Sequence, residues 1–272
     1  MSPQWEEVKI NNEDFRTHSH YVAFFAKITK DLEIELLRNF RSKIQKSSDI
    51  LDKKTTLVEL THKSLKQEYK IIEQNPGFAI VASSWVAVKA YYLFFNLFLI
   101  IKYLIQMDVG VFNSTHKAIQ SYLRKNIGSD FKFNKKRINQ VHNLEDILNW
   151  HSSPGDNLKC DVGFEIRYYL LLKKLAKYRK KEFKRIRSIK RLAGENKKEF
   201  VGGGNINICE FFYIYRIKAN YRDLEFLTKR ISEEDLVDFY KNYFKLTENF
   251  YKALRKLIND VSKIRIKKEL FK

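Results

Sequence analysis

Twenty-eight consecutive residues, Phe78 to Ile105 (FAIVASSWVAVKAYYLFFNLFLIIKYLI), constrain this chain more than any other stretch. Pro76-Gly77 marks a break immediately before them, because proline lacks an amide hydrogen and clashes with a preceding helical turn. Tyr91, Phe95 and Phe98, and beside them Tyr92, Asn96 and Leu99, recur at three to four residues, the period of a helix. Apolar residues fall on nearly every face, so the helix must be enclosed by others. At 1.5 Å per residue it runs about 40 Å, the length of a bundle. A membrane span is the competing reading, since about 20 apolar residues suffice. Lys89 and Lys102 leave only twelve uncharged residues between them, and Ser83, Ser84 and Asn96 dilute the rest, which favours a core helix. The polar, acidic start MSPQWEEVKINNED does not read as a signal peptide, and a cytoplasmic protein is expected.

The rest of the composition fits long helices. Three prolines and nine glycines in 272 residues leave little room for a flexible linker. The two cysteines, Cys160 and Cys209, lack the spacing of a disulfide framework or a zinc site. There is no glycine-rich phosphate loop with its lysine and no HExxH, so no metal and no cofactor is expected.

Along the chain, residues 1–28 show short apolar alternations that read as strands or loops. Leu32, Leu36, Leu37, Phe40 and Ile44 then trace a helical stripe. A second helix is expected over 55–73, with Leu57, Leu60, Leu65, Tyr69 and Ile72 on its inner face. After the central helix, Asn113 or Ser114 is placed to cap a helix that turns Ile119, Tyr122 and Leu123 inward and ends at Gly128. His116 then falls in the first turn, where the helix dipole disfavours an imidazolium. A loop over 128–161 holds Arg137 and His142 at Arg-x4-His spacing and a short helix near 144–150 that Asn143 can cap. The run SSPGD at 152–156 reads as a turn, as does GGGNIN at 202–207. Ser232-Glu-Glu-Asp235 has the form of a capping box. It opens a last long helix with Leu236, Phe239, Tyr243, Phe250, Leu254, Leu257 and Val261 as its buried stripe.

Charge is the strongest functional signal. The chain carries 52 Lys and Arg against 32 Asp and Glu, a net +20. From Lys173 to Lys198 there are thirteen basic residues against Glu182 and Glu195, more than half of that excess. They lie on a helix expected over 164–193, whose seam is Leu172, Leu175, Ile186, Ile189 and Ala193. A merely solvated face would gain from acidic partners four residues away, and these are largely missing. A basic ridge of this kind tracks phosphates. Lys173, Lys177, Lys180, Lys181, Lys184, Arg185, Arg187, Lys190 and Arg191, with Arg222 further on, are the candidate nucleic-acid contacts. RNA ranks before DNA, an acidic protein is another class of partner, and an anionic membrane ranks behind nucleic acid and is not expected.

Several pieces in order resemble the HEPN superfamily, the helical bundles found in prokaryotic toxins, defence systems and nucleotidyltransferase partners. Ala90-Tyr91-Tyr92 within the central helix is similar to the family's aromatic helix. Ser114-Thr115-His116-Lys117 resembles the Thr-His-Lys helix start of a branch described as DNA-binding. Tyr215-Arg216-Ile-Lys-Ala-Asn220-Tyr221 is similar to an Arg-x4-Asp/Asn-Tyr segment on the family's last core helix. The resemblance covers 78–127 and 208–262. It implies an all-α, elongated helical bundle over 78–272 with an insertion at about 128–207, preceded by a mostly helical extension over 1–77. Active members are metal-independent ribonucleases with Arg-x4-6-His. By that resemblance Arg216, Tyr221 and His116 are the candidate catalytic residues, and a homodimer or a protein partner in a defence or toxin–antitoxin complex is expected. Tyr221 stands where the motif histidine would be, and a phenol with a pKa near 10 is a poor base at neutral pH. Three readings stand: nucleic-acid binding, ribonuclease action with His116 in place of the missing histidine, and a structural subunit.

Overall fold

The structure, a computed structural model, describes residues 3–38, 48–150, 163–185, 204–221 and 231–271. The fold is an all-α bundle with, among the described residues, two minor sheets. Its long helices are α1 (Pro3–Ile28), α2 (Asp49–Gln74), α3 (Ala79–Gln106), α4 (His116–Asn126), α5 (Leu144–Asn149), α6 (Phe164–Arg185), α7 (Glu210–Tyr221) and α8 (Glu233–Ile266), α5 being a short exception.

The apolar run becomes α3 as its pattern requires, preceded by a 3₁₀ turn at Pro76–Phe78. Every residue from Leu93 to Ile101 is buried. Phe94 stacks on Phe212 of α7 at 4.6 Å and meets Phe250 of α8 edge-on at 5.6 Å. Among the described residues, this is the one segment long and apolar enough to cross a membrane, and 72% of its most apolar window is buried within the protein. The first turns of α3 differ: Ile80, Val81 and Trp85 are exposed.

The last helix wraps this core. Ser232 caps α8, its hydroxyl accepting from the Asp235 amide at 3.1 Å, and all seven residues of the expected stripe are buried. Beyond α8 the chain folds back. Asn259 grips Phe271 through both backbone groups, donating to its carbonyl at 2.7 Å and accepting from its amide at 2.9 Å.

Residues 3–28 form one helix, not strands or loops. Phe15, His18, Val22 and Phe25 are buried at helical spacing, a period that short apolar alternations in the same stretch conceal. Phe15 meets Phe239, and Phe25 meets Phe250, so α1 belongs to the same continuous core as α3 and α8. The stripe expected from Lys30 to Ile44 is not a helix where it is described. Asp31 turns the chain with φ 54°, and Ile34–Leu36 form strand β1, paired antiparallel with β2 (Phe131–Phe133) in the register Ile34↔Phe133. Phe40 and Ile44 lie outside the described residues.

Helix α2 begins six residues earlier than expected, capped by Ser48. Leu57 and Leu60 point outward, and Leu51, Val58, Leu65 and Ile72 form the buried face instead. Asn143 caps α5 as anticipated, accepting from the Glu145 amide at 2.9 Å. Before it, β3 (His142–Asn143) pairs with β4 (Asn205–Ile206), so part of the stretch expected as a GGGNIN turn is a strand tied to the 128–144 connection, and Gly202 and Gly203 lie outside the described residues. The turn at 152–156 lies outside the described residues.

Candidate nucleic-acid site

Helices α3, α4 and α7 meet around Tyr91, Tyr92, His116, Tyr213 and Arg216. The adjacent tyrosines of α3 supply two walls. The Tyr91 ring is fully buried, and Tyr92 is 39% exposed, giving the cluster its contact with solvent. Arg216 arrives from α7 with only 9% exposure. Its guanidinium lies over the rings of Tyr91, Tyr213 and Tyr92, with centroid distances of 5.0, 5.6 and 5.9 Å. Attraction between a cation and a ring quadrupole stabilises such an arrangement. One polar contact is long: Nη1 donates to the Tyr92 hydroxyl at 3.5 Å. The Nε atom is buried without a partner, and no carboxylate among the described residues pairs with this cation.

His116 enters from the start of α4. Thr115, not Asn113 or Ser114, is the cap, its hydroxyl accepting from the Ala118 amide at 3.2 Å. The 3₁₀ turn at Val109–Asn113 uses up the two residues expected to cap. The imidazole packs on Phe95 at 4.5 Å, and Nδ1 shares a 2.8 Å hydrogen bond with the Tyr91 hydroxyl. Burial, and then the Arg216 charge, hold its pKa below the ordinary value of 6.5. Burial and the Arg216 charge thus act in the same direction as the helix dipole, disfavouring the imidazolium. Burial also drives the Tyr91 phenol far above its usual range, with the Arg216 charge opposing.

The two groups singled out separately, Arg216 and His116, thus share the same pair of tyrosines. Tyr221 ends α7, and its side chain lies outside the described residues. The tyrosine cage was missed in advance. Its signal was Ala90-Tyr91-Tyr92, which points to a buried aromatic helix and carries the family resemblance but does not by itself announce a cage around a cation.

The basic helix α6 buries Tyr168, Leu171, Leu172, Leu175 and Ala176. Lys177 is exposed, and Lys173, Lys174 and Lys180 are half-buried. Lys173 is tethered to the Trp150 carbonyl, and Lys174 lies over the Tyr178 ring at 5.4 Å. Arg179, counted with the basic surface, instead turns inward. It is 5% exposed, donates to the Asn205 carbonyl at 2.8 Å and pairs with buried Glu210 at 3.2 Å. Lys181, Lys184 and Arg185 occupy the last turns of α6. Arg187, Lys190, Arg191 and Arg222, with the seam residues Ile186, Ile189 and Ala193, lie outside the described residues.

Arg137 and His142 also come together, on either side of Tyr168. The Tyr168 hydroxyl donates to the Arg137 carbonyl at 2.7 Å and contacts His142 Nε2 at 3.2 Å. Here the guanidinium is neutralised by Glu165 and bonded to Gln140. The cluster fastens the 128–144 connection to α6 and has its own counter-ion, which Arg216 lacks among the described residues.

Among the described residues no group of histidine, cysteine and carboxylate side chains is placed to hold a metal ion. Cys209 is a free thiol, fully buried, and burial raises its pKa well above the usual thiol value. No protein-family model, no curated protein and no solved structure matches this chain.

Proposed function

We propose that this chain binds nucleic acid, RNA before DNA, with Arg216 and His116 receiving a backbone phosphate and the lysines of α6 extending the contact. One observation carries the reading: Arg216 is a buried cation with no counter-ion among the described residues and an unpartnered Nε. Burying an uncompensated charge is costly. Stacked tyrosines offset part of that cost, and an anionic ligand would offset more. Phosphate suits a guanidinium's planar donors, and Tyr92 at the solvent edge offers a surface on which a base can stack.

The resemblance to ribonucleases makes cleavage the competing reading. His116 standing beside Arg216 favours it, because an imidazole and a cation are the groups that transfer from a ribose 2′-hydroxyl requires. A setting in prokaryotic defence or a toxin–antitoxin complex, with a second copy of the chain or a protein partner, rests on the resemblance alone.

Fluorescence anisotropy with single-stranded and structured RNA, at low and moderate salt, tests the binding reading. Binding that falls steeply with salt and weakens at least about tenfold in Arg216→Gln is expected. Absence of binding to any RNA or DNA at low salt would overturn it. Incubation of the same RNAs with protein in EDTA separates the two readings: intact RNA leaves binding alone.

A further inference from the structure

Val81, Trp85, Val88 and Tyr92 follow one another on α3 at intervals of four, three and four residues, so they share one side of the helix. That side is bare among the described residues. Val81 is 60% exposed, Trp85 54% and Tyr92 39%, and Val88 is half-buried. The large aromatic residues exposed among the described residues are Trp85, Tyr92 and Phe164, so two of the three stand on this face. The Trp85 ring has no ring partner there, whereas Tyr91, Phe94 and Phe95 of the same helix all pack on other rings. Trp85 and Tyr92 are seven residues, or two turns, apart, which is about 10 Å along the axis. At that distance the two rings cannot hold the same base, but each can hold its own.

The face is continuous with the candidate site through Tyr92, whose ring is also a wall of the Arg216 cage. Whatever lies on Trp85 therefore runs on towards a buried cation. Charge points the same way. Helix α3 has no Asp or Glu in its 28 residues, and its charges are Lys89 and Lys102. Lys89 reaches across to Glu68 of α2 and neutralises it. A polyanion laid along this side meets no acidic residue of α3. A lipid surface or an apolar protein would also cover Val81 and Trp85, but neither calls for an acid-free path that ends at a guanidinium.

We propose that Trp85 is a second base-stacking site. An unpaired nucleic-acid strand lies along the outer side of α3, with one base on Tyr92 beside the phosphate held by Arg216 and another on Trp85. This deepens the nucleic-acid reading and rests on it for the ligand. The consequence is selection by strandedness. Every base has a flat face that an aromatic ring can hold, whatever the sequence. In a duplex those faces are taken up by neighbouring pairs, while a single strand can splay them out. The α6 lysines attract either form through its phosphates, and the α3 face tells the two apart.

The experiment is fluorescence anisotropy of the full chain with a labelled RNA oligonucleotide free of self-complementarity, and with the duplex it forms with its complement. The native protein is expected to prefer the single strand. Trp85→Ala is expected to weaken single-strand binding about tenfold. Duplex affinity and the salt slope should stay as they were, because no phosphate contact is lost. Trp85→Phe, which keeps a ring, should restore most of the affinity, and Trp85→Leu, which keeps apolar bulk alone, should not. Circular-dichroism melts establish that each variant is folded. The inference is overturned if Trp85→Ala binds the single strand as the native protein does, if it loses single strand and duplex equally, or if Leu rescues as well as Phe. Vesicles of phosphatidylcholine and phosphatidylglycerol provide the other arm: vesicle binding lost in Trp85→Ala with RNA binding intact assigns the face to lipid instead. If single-strand binding responds to Trp85 but not to Arg216→Gln, the stacking site stands and the phosphate role of Arg216 fails. If no nucleic acid binds at low salt, both fall.

Discussion

His116 ties a local protonation state to the stability of the fold. Its folded pKa lies below 6.5, so the unfolded chain takes up a proton before the folded one does. The contribution is therefore complete above 6.5 and is lost as pH falls through that value towards the folded pKa. Among the described residues, the ionisable groups that face it are Arg216 from α7 and Tyr91 and Tyr92 from α3, with Tyr213 behind Tyr91 and Arg216. His116→Gln should flatten that part of the stability profile, read as urea midpoints between pH 7 and 5. Glu248 supplies a separate acid limb. Burial works to raise its pKa, but the hydrogen bond and charge of His62, with Lys252, bring it below the ordinary 4.5. His62 holds it at 2.5 Å while stacking on Tyr251 at 3.7 Å. Its stabilisation is present above 4.5 and lost as pH falls through the folded value. Glu248→Gln should cost about 1 kcal/mol at neutral pH and leave stability less sensitive to acid. An unchanged acid limb would show that the pair does not clamp α2 to α8. At this scale the sequence was partly legible. Ser232 and Asn143 were visible as caps because capping depends on a side chain and the next few amides. Arg179 was misassigned because its inward turn depends on Glu210, a contact across 31 residues.

Helices were legible wherever one period ran unbroken, as in α3 and α8, and obscured wherever a partner chose the face. Leu57 and Leu60 fit a stripe on α2, but α2 packs against α3 and α8 with Leu51, Val58 and Leu65 buried, which leaves Leu57 and Leu60 outside. Strands of two and three residues carry no period at all. β1 exists because Phe131 and Phe133 bury their rings opposite, and nothing local to Ile34–Leu36 announces it. The pairing of Arg179 with Glu210 joins α6 to α7 and makes a prediction at this scale. Arg179→Met leaves a buried carboxylate without its cation, which should cost about 3 kcal/mol. Arg179→Met with Glu210→Met removes both charges and should recover most of that loss in denaturant unfolding. A double variant no more stable than the single one would mean the pair does not act as a unit. Thr115→Ala, removing the α4 cap, should cost about 1 kcal/mol, and should also broaden the His116 resonance by loosening the turn that carries it.

Over the whole molecule, the net charge of +20 has to be reconciled with a fold that spends some of its cations internally. Arg179 and Arg137 are paired with acids, Lys173 is tied to a backbone carbonyl, and Lys89 is paired with Glu68. The pairing is selective, for Arg216 sits deep in the bundle with no such acid among the described residues, and Lys177 on α6 faces solvent. Binding a polyanion releases condensed counterions in proportion to the phosphates neutralised, so the salt dependence counts cations in use. Lys177→Gln with Lys180→Gln should reduce the slope of log affinity against log salt by about 1 to 2, with little effect on stability. Arg216→Gln should weaken binding about tenfold while lowering the slope by no more than about 1, since one phosphate contact is lost. The two variants separate a site from a field. If the α6 variant leaves the slope unchanged, its lysines serve solubility alone. If Arg216→Gln binds as well as the native protein, the buried cation belongs to the architecture of α3 and α7, and nucleic acid must be held elsewhere.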